Sequence, residues 1–178
     1  MRVVLPSACL VILCGPAGSG KSTFAQRHFP ETAIVSSDRC RAMLTDDEAS
    51  ISASADAFAL FHQIIDTRLR LRRLTVADST ALHPDARSDL RRLARRWKIP
   101  VTIIVFDVPE QTAGRWDARR DRRVGRTVIH RQWQQLQQAL QRIPHEGYDQ
   151  VIILGEDDVA RARVEVEGRA AAAGERGT

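Results

Sequence analysis

The chain has 178 residues, 43% of them hydrophobic and 28% charged, which suits one globular core and excludes a disordered, fibrous or two-domain protein. Twenty-seven basic residues against twenty-two acidic ones leave a formal charge of +5, and Lys21 and Lys98 are the only lysines. An arginine excess suits a polyanionic partner, because guanidinium groups pair bidentately with phosphate, but biased base composition enriches arginine too. Cys9, Cys14 and Cys40 show no CxxC spacing, so neither a disulfide framework nor a zinc site is expected. The run Ala8–Cys14 is too short to cross a bilayer and leads into a glycine-rich loop, not a cleavage site. The expected setting is the reducing cytoplasm, with no membrane partner.

Strand-like and helix-like segments alternate along the chain, which predicts an α/β fold with a mostly parallel sheet. Cys9–Cys14 is a buried strand, and a short helix starts within Gly20–Gln26. Thr32–Ser36 predicts a second strand ending in Ser37-Asp38. Phe58, Phe61, Ile65 and Leu69 follow at steps of three and four, one face of a helix. Leu74–Ala77 is a third strand running into Asp78. Ser79 or Thr80 is the expected cap of the next helix, with Pro84 in its first turn and Ala86, Leu90, Leu93 and Trp97 as the buried stripe. Arg87, Arg91, Arg92, Arg95 and Arg96 are placed on its outward face. Val101–Phe106 is a β-branched strand followed by Asp107, and an arginine-dense helical stretch comes after Pro109. Ile129, Trp133, Leu136 and Leu140 line one side of a further helix, and Val151–Leu154 is the fifth strand. Phe58, Phe61, Trp97 and Trp133 are read as core, not as base-stacking surfaces.

The residues Gly15-Pro16-Ala17-Gly18-Ser19-Gly20-Lys21-Ser22 match the phosphate-loop pattern G-x-x-x-x-G-K-[ST], with Thr23 next. Glycines let the backbone curl so that successive N–H groups face one concavity and bind phosphate oxygens. The helix that starts there adds its positive end. Lys21 is expected to reach the β- and γ-phosphates of ATP, and Ser22 to ligate Mg²⁺. Gly15, Gly18, Ser19, Gly20, Lys21, Ser22 and Thr23 form the expected cofactor site. Asp78 or Asp107 could support the metal. Asp78 is preferred, because the strand beside the phosphate-loop strand usually supplies that carboxylate.

Ser36-Ser37-Asp38-Arg39-Cys40-Arg41 ends the second strand on the sheet edge where an acceptor hydroxyl would enter. Asp38 there can take a proton from that hydroxyl, and Arg41 can orient it or hold an acceptor phosphate. Arg115, Arg119 and Arg122 or Arg123 fall on one helical face and could close over the ATP phosphates. Only Asp117 and Asp121 offset the six arginines of this stretch.

The succession SSDRCR, LTDDE, the Phe58–Leu69 helix, LTVADST, RWDARRDRR and VIHRQW resembles the kinase module of bacterial polynucleotide kinase-phosphatases, over roughly residues 8 to 155. The resemblance implies a P-loop kinase: a three-layer α/β/α sandwich with a five-stranded parallel sheet in the order 2-3-1-4-5 and a helical, arginine-rich lid. It implies ATP (with other nucleoside triphosphates not excluded) and Mg²⁺ as cofactors. It makes Asp38 the general base and Arg41 the contact to the acceptor end. Lys21, Arg115 and Arg119 act on the ATP phosphates, and Asp121-Arg122 is the pair that follows. The acceptor it implies is the 5′-hydroxyl end of RNA or DNA, in nucleic-acid repair beside fused or associated phosphatase and ligase modules. Residues 1–167 are then the kinase domain, and 168–178 a tail or linker. The alternatives are a small-molecule kinase acting on a sugar, nucleoside or antibiotic, and a nucleotide-dependent binding module without acceptor chemistry.

Overall fold

The computed structural model describes residues 1–50, 52–119 and 123–168. The expectations for Arg120, Asp121, Arg122 and the tail beyond residue 168 lie outside the described residues. The elements begin with β1 (Arg2–Leu5), β2 (Leu10–Cys14), α1 (Lys21–His28), β3 (Ile34–Ser36), α2 (Ser37–Thr45) and α3 (Ser54–Arg70). They continue with β4 (Thr75–Asp78), α4 (Pro84–Arg96), β5 (Val101–Phe106), α5 (Glu110–Asp117) and α6 (Arg126–Arg142). The last are β6 (Gln150–Leu154), α7 (Glu156–Arg161) and β7 (Arg163–Val166). No described helix is long and apolar enough to cross a membrane.

Every residue of β2 and β5 is buried, as continuous apolar runs require when helices cover both faces of a sheet. The main sheet is parallel with the order β3-β4-β2-β5-β6. Counted along the chain within that sheet this is 2-3-1-4-5, the expected order. Side chains alternate along β2, so one strand feeds two cores. Leu10, Ile12 and Cys14 pack with Phe61 and Ile65 of α3, Leu90 and Ala94 of α4, and Leu136 and Ala139 of α6. Val11 and Leu13 pack on the other side with Phe24 and Ala25 of α1 and Val159 of α7. A two-stranded parallel ribbon of β1 and β7, which the sequence reading did not anticipate, sends Val3 and Leu5 into this second core. The result is the expected three layers.

Several local expectations are corrected. Thr32 and Ala33 lie in a 3-10 turn, so the second strand of the main sheet starts at Ile34. Helix α4 is entered from His83 without a side-chain cap, and neither Ser79 nor Thr80 caps it. Arg87 is not on the outward face of α4: it is fully buried, with Leu90 and Ala94. Its guanidinium donates to the carbonyls of Ala81 (3.0 Å) and Leu82 (2.8 Å) and forks onto the Glu146 carboxylate at 2.9 and 2.5 Å. Phe58 leaves the stripe formed by Ala57, Phe61, Ile65 and Leu69 and stays 37% exposed. The arginine-dense stretch is not one helix. Helix α5 stops at Asp117, whose carboxylate accepts from the backbone N–H of Val124 (3.3 Å) and Gly125 (3.2 Å). Arg119 lies beyond the end of the helix that carries Arg115.

Candidate active site

The loop between β2 and α1 is shaped by its glycines. Gly18 and Gly20 hold φ of +76° and +88°, a region costly for any residue with a Cβ. A Cβ on Gly18 would also lie 2.4 Å from the Ala113 carbonyl oxygen, so α5 is packed directly on the loop. The first turn of α1 carries no acidic residue and no side-chain cap, which leaves its N–H groups and positive end facing the loop. Lys21 reaches back to donate to the Pro16 carbonyl at 2.6 Å. This is a built anion cradle.

Neighbouring elements fix the loop from three sides. The Gly15 N–H donates to the Thr80 carbonyl at 3.0 Å, and the Ala17 N–H donates to Gln132 Oε1 of α6 at 2.7 Å. Trp116 of α5 lies beside Gly20, 3.4 Å from where a Cβ would stand. One cavity of about 280 Å³ opens on this side, lined by Gly18, Gly20, Thr23, Arg27, Trp116 and Val159 among others. Arg27 props its far wall by donating to the carbonyls of Val159 (3.2 Å) and Ala160 (3.1 Å). Gln132 and Trp116 had no signal in the sequence beyond lying within the lid motifs; packing alone assigns them.

A second cavity of about 310 Å³ also borders Lys21 and Ser22. Its wall brings together Lys21, Ser22, Asp38, Arg41, Asp78 and Phe58. Ser36 caps α2 by accepting from the Arg39 N–H at 3.3 Å, which sets Asp38 in the first turn, and the Asp38 side chain is 53% exposed. Arg41, 12% exposed, donates to Asp38 Oδ1 at 2.7 Å and to the Glu48 carbonyl at 2.8 Å. An adjoining cavity of about 480 Å³ shares Ser22, Asp38 and Asp78 and runs outward past Arg39 and Glu48. Asp78, at the end of β4, stands in register with Leu13 and Ser36 of its neighbours and lines both spaces with Ser22. Asp107, after β5, lines neither.

A serine hydroxyl and a carboxylate on one wall are hard oxygen donors, the set that suits Mg²⁺ with waters and phosphate completing its shell. No cluster of three or more His, Cys, Asp or Glu side chains suited to a metal occurs among the described residues. Burial pushes the Cys9 thiol up to about 12 and, outweighing the nearby Arg87 and Lys21 charges, the Cys14 thiol up to about 11. Both shifts disfavour the thiolate.

Neither Arg115 nor Arg119 lines these cavities. Arg115 donates to Thr112 Oγ1 at 2.7 Å, lies 3.5 Å from Glu156, and lines a separate groove with Arg123 and Arg126. Arg119 is exposed beyond the end of α5. The structure does not bring either to the cradle.

Comparison with known proteins agrees with this architecture. A family model described as an AAA domain matches residues 10–143. No curated protein matches the chain. A chain of the Pnkp1/Rnl/Hen1 RNA repair complex superposes with a TM-score of 0.67 at 22% identity, covering 77% of this chain and 46% of that one. This chain thus spans under half the length of that relative. A gluconokinase from Sinorhizobium meliloti 1021 gives 0.56 at 16% identity, covering 88% and 87% of the two chains. The APS kinase CysC of Mycobacterium tuberculosis, in complex with AMPPNP and APS, gives 0.50 at 15% identity, covering 85% and 90%. At such identities the shared property is the fold, that of P-loop kinases.

Proposed function

The chain belongs to the AAA-domain family, and we propose that it transfers the γ-phosphate of ATP to the 5′-hydroxyl end of an RNA or DNA strand. The observation that carries this reading is the single wall shared by Lys21, Ser22, Asp38 and Arg41, which sets a carboxylate opposite an anion cradle. The phosphates lie in the loop 15–22, held by its N–H groups and Lys21, while the remainder of the nucleotide occupies the cavity between Trp116 and Val159. Asp38 accepts the proton of the entering hydroxyl, and Arg41, hydrogen-bonded to it, orients the carboxylate and offers charge to the strand's first phosphate. Ser22 and Asp78 would hold Mg²⁺, which when bound offsets the phosphate charge. The proposed contact of Arg115 with the ATP phosphates, aided by Arg119 and Arg122, requires Arg115 to leave Glu156.

The order of motifs shared with polynucleotide kinase-phosphatases and the likeness to a chain of an RNA repair complex support a nucleic-acid acceptor. A cytoplasmic setting and association with phosphatase and ligase modules belong to the same proposal, as does residues 1–167 forming the kinase domain. A small-molecule acceptor is the second reading, favoured by matches that span nearly all of a gluconokinase and an APS kinase. The two separate in one assay. Labelled ATP is offered with a 5′-hydroxyl oligonucleotide and, separately, with sugar and nucleoside acceptors. Label in the oligonucleotide, lost in Asp38→Ala while ATP affinity stays, is the expected result. Turnover of sugars alone would overturn it.

A further inference from the structure

Phe58 sits where its own helix does not need it. Along α3, Ala57, Phe61, Ile65 and Leu69 are at most 1% exposed, whereas Phe58 turns its surface to the acceptor cavity beside Asp38, Arg41 and Val124. The ring is held in place: it meets Phe61 edge-on, with centroids 5.9 Å apart and planes at 84°, and leans on His62 at 6.3 Å. A backed aromatic surface thus stands in a wall otherwise made largely of charged and hydroxyl groups, namely Lys21, Ser22, Asp38, Arg41, Asp78 and Thr80.

That combination matches a ligand with an apolar π-face joined to a polar, anionic part. A nucleotide has both. Aromatic side chains in nucleic-acid sites hold bases by stacking and tolerate any sequence, because every base has a π-face. We propose that Phe58 is the platform on which the terminal base of the acceptor strand packs while its hydroxyl meets Asp38. This inference rests on the 5′-hydroxyl reading above and specifies how that end is recognised.

The test compares a 5′-hydroxyl oligonucleotide with the same strand lacking its terminal base, using wild type, Phe58→Ala, Phe58→Leu and Phe58→Tyr. Wild type should lose about tenfold in kcat/KM on the abasic strand, within the range of base–aromatic stacking. Phe58→Ala and Phe58→Leu should show that loss on the intact strand, in acceptor KM and not ATP KM, with no further loss on the abasic one. Phe58→Tyr should keep the preference. Leucine preserves apolar packing on Phe61, so a wild-type KM for Phe58→Leu would overturn the proposal. Equal losses on both strands would overturn it too, since they mark a merely structural role. If wild type phosphorylates the strand and the variants are silent, only the Phe58 assignment falls. If wild type phosphorylates no oligonucleotide, the functional reading fails and takes this with it.

Discussion

Lys21 and Gly18 show how much of the cradle rests on single atoms. Lysine at position 21 is buried but for 8% of its surface and is held against the Pro16 carbonyl. Lys21→Ala should lower kcat by a hundredfold or more, because its contact strengthens as charge builds on the transferring group, an effect of about 3 kcal/mol. Single-turnover kinetics would check this. Gly18→Ala should both weaken ATP binding and destabilise the fold by about 1–3 kcal/mol, since the backbone sits at positive φ and Ala113 blocks the new carbon. Thermal melts with and without ATP separate the two effects. The strand–loop–helix arrangement around residues 15–22 and the pairing of Asp38 with Arg41 one helical turn on were legible because local backbone geometry fixes both. Trp116 and Gln132 were not, because each meets the loop only when α5 and α6 fold over it, and Asp117 was not, because its partners Val124 and Gly125 lie seven and eight residues on. Phe58 was misread for a related reason: helical spacing puts it near the buried stripe, and only tertiary packing shows which side of the stripe lies over the sheet.

At the level of elements, the link between α4 and the segment before β6 steadies the chain between β4 and α4. Arg87 ties the Ala81 and Leu82 carbonyls to Glu146, and the same short segment meets Gly15 through Thr80. Tyr148 adds a hydrogen bond to Glu146 at 2.9 Å, and Arg91 lies 5.3 Å from the Tyr148 ring centre. Burial by itself would push the Glu146 carboxyl up, but the hydrogen bonds from Arg87 and Tyr148 outweigh it and hold the group below its ordinary range. Its contribution is therefore complete above the ordinary carboxylate pKa and is lost as pH falls through the lowered value. Glu146→Gln should cost about 3 kcal/mol at neutral pH, with the gap to wild type closing in acid. Chemical denaturation across that pH range would test the sign. None of this was visible beforehand, because an arginine at a helical position reads as surface unless its partner, 59 residues away, is known. Helix α5 was likewise overextended, since nothing local marks Asp117 as the residue that ends it.

Across the whole molecule, the sheet order was legible because buried parallel strands announce themselves as apolar runs, and helices between them leave few ways to connect. The β1–β7 ribbon was missed, although Val3 and Leu5 alternate with exposed neighbours as an edge strand should. The two segments are short, and neither carries a turn signal pointing to the other. The net charge of +5 bears on function at this scale: acceptor KM should rise steeply between 50 and 200 mM salt, while ATP KM moves less, if phosphates of a strand lie along the cavity past Arg41 and Arg39. A flat response would favour a neutral, small acceptor. The ribbon has a consequence for how the protein is made. Arg2 and its ion-pair partner Glu165 are 163 positions apart, so β1 leaves the ribosome roughly 10–30 s before anything can pair with it. Until then its apolar side chains lack their pairing strand, so this seam can close only after β7 has been made.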